Sequence, residues 1–433
     1  MSAVIDISAV MCVGLIASIL FKPGIMIKKH NVGTYWVVAL SGAIVLVIFG
    51  CISLNDIWNG LTASSTINPI KILVLFLSMT IQSVFLDELG MFRYCANLAL
   101  KHAKGSQKSL FILLFCVVAV LTVFTSNDII ILTFTPFICY FSKNAKINPI
   151  PYLFTEFVAA NTWSMALIIG NPTNVYLASS AGINFVEYVK VMWFPTIVGG
   201  VTALAVLYLI FRRELKKPMQ PSEDDFAIKD KGLLIIGVAH LSLCTLLLVA
   251  SSYIGIEMWF VTMCFAISLF IISGIYIAAT KKNAFIIPDT LARMPFDLIP
   301  FVISMFVFVL AFDKVGLSAK IGNYLDGGNV ILKYGTTSFI TANLVNNIPM
   351  SVLFSSIAKT LESGMLLDGV FAAVIGSNIG AFFTPIGALA GIMWTGILKK
   401  HNVTFNFLTY VKYGVVISIP TLIATLLGLM AIM

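Results

Sequence analysis

Four short polar clusters interrupt the apolar stretches of this sequence. They are Thr125-Ser126-Asn127-Asp128, Gly170-Asn171-Pro172-Thr173-Asn174, Asn346-Asn347 and Thr384-Pro385. Their amide and hydroxyl oxygens, with backbone carbonyls freed at a broken helix, could bind a cation such as Na⁺. Helix N-termini that begin at such breaks carry partial positive charge and suit anionic or oxygen-rich substrates. The candidate substrate- and ion-binding residues are Thr125, Ser126, Asn127, Asp128, Gly170, Asn171, Thr173, Asn174, Asn346, Asn347, Asn378 and Thr384.

Helix capping is the structural alternative for the same residues. Ser126, Asn127 and Asp128 could cap the helix that follows them, and Asn346 and Asn347 could do likewise. For one such cluster alone, capping and binding are equally good interpretations. Four clusters at matching places in the chain favour binding, and one residue can serve both purposes.

Two acidic residues inside apolar stretches are candidates for ion coupling. An unpaired carboxylate at the bilayer centre costs about 2.5–3.5 kcal/mol on insertion scales, so it usually has a function. Asp128 is the first candidate for proton or cation coupling because it falls at a predicted hairpin tip. Glu156 is the second, with an interfacial position near the cytoplasmic end of its helix as the alternative. We expect H⁺ or Na⁺ as the coupling ion and no cofactor.

The composition places these residues in a membrane. Of the 433 residues, 59% are hydrophobic and 11% are charged, which predicts an all-α polytopic membrane protein. The net charge of +8 comes from Lys and Arg in loops and does not indicate nucleic-acid binding. The seven cysteines form no CxxC pair, the four histidines lack zinc spacing, and no HExxH motif or nucleophile–base pair indicates an enzyme. The expected partners are the lipid bilayer and a small substrate.

Ten apolar segments are predicted to cross the bilayer. They are 4–21, 35–54, 67–86, 150–178 and 191–211 in the first half, then 233–253, 257–279, 295–313, 367–398 and 409–432 in the second. The segments 150–178 and 367–398 are each broken in the middle by Gly and Pro, which predicts two interrupted helices.

Two further apolar segments, 109–142 and 330–358, have arms that look too short to cross. In the first of them the second arm, from Ile129 to Ser142, would have 14 residues and extend about 21 Å, against a core about 30 Å thick. We expect both segments to be re-entrant hairpins whose polar tips line a buried site. Two full helices in each segment are the alternative.

The chain also carries an internal repeat. The sequence Asn184-Phe185-x-x-Tyr188-Val189-Lys190 returns 222 residues later as Asn406-Phe407-x-x-Tyr410-Val411-Lys412. Further matches in the same order pair Asp87 and Gly90 with Asp313 and Gly316, Asn127 with Asn347, Asn161 with Asn378, and Pro172 with Pro385. Because five crossings per half is an odd number, the second half is predicted to run inverted. The predicted division is a first repeat at 1–211, a linker at 212–232 and a second repeat at 233–433.

The distribution of basic residues predicts the orientation. Of the 27 Lys and Arg residues, the predicted crossings place 21 on one side of the membrane and 6 on the other. The smaller set comprises Lys71, Lys190, Lys314, Lys320, Lys333 and Lys359. The positive-inside rule then puts the linker in the cytoplasm and both termini outside the cell (plasma or inner) membrane.

Several motifs resemble those of a known family. They are Leu86-Asp87-Glu88-Leu89-Gly90-Met91-Phe92, Ser126-Asn127-Asp128 with Thr135-Pro136, Gly182 to Tyr188, Asn346-Asn347-Ile348-Pro349, and Thr384-Pro385-Ile386-Gly387-Ala388-Leu389-Ala390 with Trp394. Through nearly its whole length the chain resembles the bacterial arsenite/antimonite efflux permeases of the ArsB type, in the ion transporter superfamily. The resemblance implies two inverted repeats and often a homodimer. It also implies proton-driven export of trivalent arsenic or antimony, sometimes with a separate ATPase subunit on the cytoplasmic face.

Two departures from that family keep a second function open. The run Gly170-Asn171-Pro172-Thr173-Asn174 is more similar to superfamily members that carry carboxylates, phosphate-like anions or Na⁺. At Asn378 the arsenite branch tends to have an acidic residue. The first hypothesis is a secondary active transporter that exports arsenite or antimonite in exchange for protons. The alternative is a Na⁺- or H⁺-coupled transporter of dicarboxylates or inorganic anions with the same fold.

Overall fold

The computed structural model describes residues 1–21, 24–27, 30–62, 68–220, 228–281, 285–362, 364–403 and 406–433. The first-half helices are α1 (Ser2–Phe21), α2 (Thr34–Ile48), α3 (Leu54–Thr62), α4 (Pro69–Glu88), α5 (Met91–His102), α6 (Gln107–Phe124), α7 (Asn127–Asn144), α8 (Ile150–Trp163), α9 (Pro172–Ser180) and α10 (Phe185–Phe211). Those of the second half are α11 (Lys231–Ile254), α12 (Met258–Thr280), α13 (Ile286–Ala292), α14 (Leu298–Lys314), α15 (Leu317–Leu325), α16 (Val330–Val345), α17 (Asn347–Ala358), α18 (Leu366–Gly380), α19 (Leu389–Lys400) and α20 (Phe407–Met430).

Short elements accompany these helices. Strands β1 (Gly24–Ile27) and β2 (His30–Gly33) pair antiparallel between α1 and α2, and 3-10 turns lie at Ile168–Gly170 and Glu214–Lys216. The predicted helical fold is confirmed, with this small β-hairpin as an addition. In the part of the chain that the structure describes, six helices are long and apolar enough to cross a bilayer on their own, namely α4, α6, α10, α11, α12 and α20. A total of ten crossings stays a prediction.

The order of helices is the same in the two halves. Each of α1 to α10 has a counterpart ten helices later, including a helix pair at the hairpin position and a broken helix after it. Packing between the halves is reciprocal. Helix α4 packs on α12, and their counterparts α14 and α2 also pack on each other. In the same way, α7 packs on α19, and their counterparts α17 and α9 pack on each other. Such reciprocal packing is what a pseudo-two-fold axis produces. The inversion and the boundaries at 211 and 233 stay predictions.

The repeated sequence motif marks a helix start. Asn184 caps the N-terminus of α10 by accepting from the backbone of Glu187, whose side chain reaches back to Asn184. Asn406 caps α20 by accepting from the backbone of Leu408. The same residue type is therefore repeated because each half needs the same cap on its last helix.

The first hairpin differs from its prediction. Helix α7 begins at Asn127 and has 18 residues, or about 27 Å, because the polar residues expected at the tip form its first turn. The predicted 14-residue arm from Ile129 is therefore wrong. The second hairpin keeps shorter arms, with 16 residues in α16 and 12 in α17, or about 24 Å and 18 Å.

Ion pairs hold one end of the helix bundle together. The guanidinium Nη2 of Arg293, between α13 and α14, lies 2.6 Å from Oδ2 of Asp87 at the end of α4. Arg293 also binds Glu88, and Nζ of Lys229 lies 3.5 Å from the same carboxylate. Partial burial acts to lower the pKa of Arg293, but the charges of Asp87 and Glu88 outweigh it and raise that pKa.

The opposite end carries two ion pairs between the halves. Lys71 at the start of α4 lies 2.6 Å from Glu257 at the start of α12, and Lys314 at the end of α14 lies 2.7 Å from Asp56 of α3. At both ends, each pair joins residues that the predicted crossings place on the same side of the membrane. Which end faces the cytoplasm stays a prediction.

Candidate functional site

Each interrupted helix folds back on itself at a glycine. A Cβ on Gly170 would lie 2.4 Å from the carbonyl oxygen of Ser164, and a Cβ on Gly387 would lie 2.4 Å from that of Gly380. Only glycine permits such a close backbone approach. These two glycines are 217 residues apart, like Asn161 and Asn378, so they occupy equivalent positions.

The prolines of the two breaks are not equivalent. Pro172 is the first residue of α9, where its missing N–H leaves no hydrogen bond unmade. Pro385 lies inside the second break, and α19 begins only at Leu389. The predicted match of Pro172 with Pro385 is therefore wrong.

The first break is held by an amide network that crosses between the halves. Asn378 of α18 accepts from Nδ2 of Asn171 at 2.8 Å and donates to Oδ1 of Asn174 at 2.7 Å. The hydroxyl of Ser164 lies 2.9 Å from Oδ1 of Asn378. Asn171 also accepts from the backbone N and the hydroxyl of Thr173. Asn378, Asn171, Asn174 and Thr173, all predicted site residues, are thus brought together and fully buried or nearly so.

The second break is held by residues of its own half. Oδ1 of Asn343 accepts from the backbone N of Thr384 at 3.1 Å and from its hydroxyl at 2.7 Å. Asn346 donates to the carbonyl of Ile386, and the backbone N of Asn347 donates to the carbonyl of Gly387. The predicted residues Asn346, Asn347 and Thr384 therefore form a second network around the second break.

The tip of the first hairpin contacts α8. Nδ2 of Asn127 donates to Oδ1 of Asn161 at 3.1 Å. Oδ1 of Asn127 and the hydroxyl of Ser126 are buried and have no hydrogen-bond partner in the described part of the chain. The hydroxyl of Thr125 donates to the carbonyl of Leu121 and belongs to neither network.

The capping alternative holds at some of these residues and fails at one. Asn346 and Asn171 do accept from backbone N–H groups two residues onward, at the starts of α17 and α9. Ser126 stands at the N-cap of α7, but its side chain makes no capping hydrogen bond. A buried hydroxyl that does not cap is available to bind something else.

The two acidic candidates lie in different surroundings. Asp128 is partly exposed in the first turn of α7, and its charge acts on the hydroxyl of Tyr35, as does that of Asp297. Glu156 has no exposed surface and contacts Thr135 of α7. Its carboxyl group is enclosed by protein, and its depth in the membrane stays a prediction.

Sequence reasoning missed two residues of the networks. Ser164 joins Asn378 across 214 positions of the chain, and Asn343 holds Thr384 across 41. Asn343 could have been found, because it lies only three residues before Asn346, in the last turn of α16. Ser164 carried no such signal.

Two cavities lie away from the networks. One of about 340 Å³ is lined by the start of α4 and by the α9–α10 and α11–α12 connections, including Lys71, Asn184 and Trp259. The other, of about 370 Å³, is a wholly apolar groove between α6 and α10. None of the predicted site residues lines either cavity.

Apolar spanning helices, two hairpin-like helix pairs and two broken helices with amide-lined breaks define a polytopic membrane transporter. The sequence profile of the citrate transporter family, CitMHS, matches residues 24–373. The chain belongs to this family.

Individual relatives and solved structures agree with that class. The chain is 27% identical to an arsenical pump membrane protein of Escherichia coli over 430 residues, covering 93% of this chain and 94% of the relative. It is 24% identical to a putative arsenical pump membrane protein of Bacillus subtilis, covering 90% and 92%. The predicted resemblance to arsenical pumps is thereby confirmed.

The fold is also similar to those of two solved transporters. The YdaH transporter of Alcanivorax borkumensis superposes with a TM-score of 0.57 at 14% identity, covering 97% of this chain and 96% of that one. MtrF of Neisseria gonorrhoeae, described as illuminating a class of antimetabolite efflux pumps, gives 0.52 at 13% identity, covering 99% and 94%. At such identities the likeness concerns the fold.

Proposed function

We propose that this protein is a secondary active transporter that exports arsenite or antimonite in exchange for protons. The observation that supports this most is the uncharged character of the two networks. Around both breaks the side chains that hydrogen-bond are amides and hydroxyls, from Asn171, Asn174, Asn378, Asn343 and Thr384. In the described residues, no Lys or Arg takes part in either network.

An uncharged site suits an uncharged substrate. Arsenite at neutral pH is arsenous acid, As(OH)₃, which both donates and accepts hydrogen bonds through its hydroxyl groups. Amide side chains offer donors and acceptors in equal measure and match such a molecule. A polycarboxylate would be expected to recruit Arg or Lys, because charge-assisted pairs are the strong means of binding carboxylates. The names of the relatives point in the same direction.

The test is transport by purified protein in liposomes. We expect arsenite to accumulate when the compartment that receives it is acidic, since protons would leave as arsenite enters. Asn171→Ala should reduce this transport, while Asp326→Asn, an exposed aspartate outside both networks, should not. Arsenite movement that is indifferent to an imposed pH gradient would contradict proton exchange.

The second candidate function is Na⁺- or H⁺-coupled transport of a dicarboxylate or inorganic anion. Membership of the citrate transporter family favours it. So do Oδ1 of Asn127 and the hydroxyl of Ser126, which are buried oxygens of the type that binds Na⁺ and have no partner among the described residues. Citrate, succinate and sulfate uptake with an imposed Na⁺ gradient, measured in the same liposomes, decides between the candidates.

Three further expectations belong to this proposal. The protein would reside in the cell membrane with both termini outside, would form a homodimer, and could accept an ATPase subunit on the basic face. Cysteine labelling of the termini in intact cells tests the orientation. Mass measurement in detergent tests the dimer, and co-purification tests the subunit.

A further inference from the structure

Glu156 lies where helices from both halves meet. It is in the middle of α8 and has no exposed surface. From α7, the hydroxyl of Thr135 lies 3.1 Å from Oε1 and 3.3 Å from Oε2 of the carboxyl group. From α19, in the other half, the ring of Trp394 lies beside the same carboxyl group.

The hydrogen bonds of Thr135 indicate the protonation state of Glu156. The hydroxyl oxygen of Thr135 is 2.6 Å from the carbonyl oxygen of Ile131, which can only accept. A hydroxyl has one proton, and this shortest contact uses it. The contact with Glu156 is then a hydrogen bond only if the carboxyl group donates. A neutral, protonated Glu156 satisfies both contacts of the Thr135 hydroxyl.

The surroundings leave the carboxyl group without a counter-charge. The titratable groups that face it are Cys139 on α7 and, beyond the ring of Trp394, Tyr410 on α20, with Tyr152 on α8 itself. Lys399 and Lys400 lie exposed at the end of α19. In the described residues, all ion pairs are formed by other acidic side chains. An ionised carboxylate here would be unpaired, which is costly in a membrane protein.

Glu156 is also linked to the candidate site through the same two helices. It lies five residues before Asn161 on α8, and Thr135 lies eight residues after Asn127 on α7. At about 1.5 Å per residue, these separations are about 7.5 Å and about 12 Å. Helices α7 and α8 are thus joined twice, by Asn127 with Asn161 and by Thr135 with Glu156.

We infer that Glu156, rather than Asp128, carries the proton that is exchanged for substrate, and that its protonation fastens α7 to α8 below the hairpin tip. This inference rests on the proposed proton-coupled function. Loss of the proton to water breaks the bond that Glu156 donates to Thr135. The carboxylate then attracts water, which opens the contact among α7, α8 and α19. That movement reaches Asn127 because α7 is one continuous helix around its kink-prone Pro136.

The experiment compares two transport measurements on the Glu156→Gln variant in liposomes. Gln keeps a neutral donor, so the fold and the exchange of labelled for unlabelled arsenite across the membrane should persist. Accumulation driven by a pH gradient should fall to the level of empty liposomes. Glu362→Gln, an exposed glutamate outside the helices, is the matched control and should behave as the wild type.

The outcomes separate this inference from the proposed function. If the wild type exchanges no labelled arsenite, the proposed substrate is wrong. If the wild type exchanges arsenite and the Gln variant still accumulates it along a pH gradient, Glu156 is not the proton carrier.

A spectroscopic readout does not depend on substrate or on transport. Infrared difference spectra of the wild type minus Glu156→Gln at neutral pH should show the C=O band of a protonated carboxyl group. Thr135→Val should shift that band, because it removes the hydrogen-bond partner of Glu156. A spectrum that shows only an ionised carboxylate would overturn the inference.

Discussion

The two halves share a fold but differ in chemistry. The first half carries Asp128 at its hairpin and Glu156 in its broken helix, while the equivalent positions of the second half are Ile348 and Ala373. The first break depends on Asn378 from the other half, whereas the second break is held by Asn343 of its own half. The two frameworks match in the order of their helices, and these two acidic groups occur in only one of them. We expect the first half to couple ions and both halves to line the site.

The largest effects should come from the break glycines. Gly170→Ala and Gly387→Ala each push a methyl group to 2.4 Å from a backbone carbonyl that cannot move without distorting α8 or α18. Both variants should lose transport and unfold at lower temperature in detergent, by about 3 kcal/mol or more of stability. Gly396→Ala is the control, because nothing lies near its added methyl group. If one break tolerates alanine and the other does not, the frameworks are not equivalent.

The next effect separates two equivalent asparagines. Asn378→Ala removes the partner of Asn171 and Asn174 across the halves, and leaves Nδ2 of Asn171 and Oδ1 of Asn174 buried without that hydrogen bond. We expect the free energy of unfolding to fall by about 2–4 kcal/mol and transport to be strongly reduced. Asn161→Ala removes the partner of Asn127 alone and should cost about half as much. Equal losses in thermal denaturation would show that the network between the halves is no more important than the one at the hairpin tip.

Ion pairs at the two ends give a smaller contrast. Arg293→Ala strips a buried carboxylate, that of Asp87, of its partner and should cost about 2 kcal/mol. Lys314→Ala opens a pair whose two side chains are about half exposed, and should lower the stability much less because water screens the pair. Thermal denaturation of both variants at one ionic strength measures the difference. A larger loss of stability for Lys314→Ala than for Arg293→Ala would contradict the prediction that the ion pairs of Arg293 stabilise the protein more.

The smallest effect concerns pH. A side-chain hydrogen bond from Lys314, with hydrogen bonds from Ser53, lowers the pKa of Asp56 from 3.8 to about 2. Because the pKa is lower in the folded state, the pair stabilises the protein above about pH 4, and that contribution disappears as the pH falls towards 2. Asp56→Asn should abolish this part of the pH dependence. Asp326→Asn, an exposed aspartate at the same end, is the control for general charge effects.

Much of the framework could be predicted from the sequence because it depends on local signals. Apolar length located the helices, and Gly with Pro located the breaks. The repeated Asn184 and Asn406 marked the starts of the last helices, since an N-cap requires a particular side chain at a particular place.

The remaining features depend on tertiary contacts, which local sequence patterns do not predict. The hydrogen bond between Asn378 and Ser164 joins residues 214 apart in the chain, and no sequence pattern near Ser164 indicates it. The sequence predicts too short an α7, because its polar residues suggest a hairpin tip although they form the first helical turn. The burial of Glu156 follows from α19 packing on α7, which only the tertiary structure shows.

The reciprocal packing of α7 on α19 and of α17 on α9 has a consequence for the origin of the chain. In each case the returning arm of one hairpin is covered by the far piece of the other half's broken helix. A single half would leave both surfaces bare. We infer that a half-length ancestor would have needed a second copy of itself to complete its structure, and that a gene fusion would then have joined the two copies. Halves expressed as separate chains should accordingly assemble with each other and be degraded when alone.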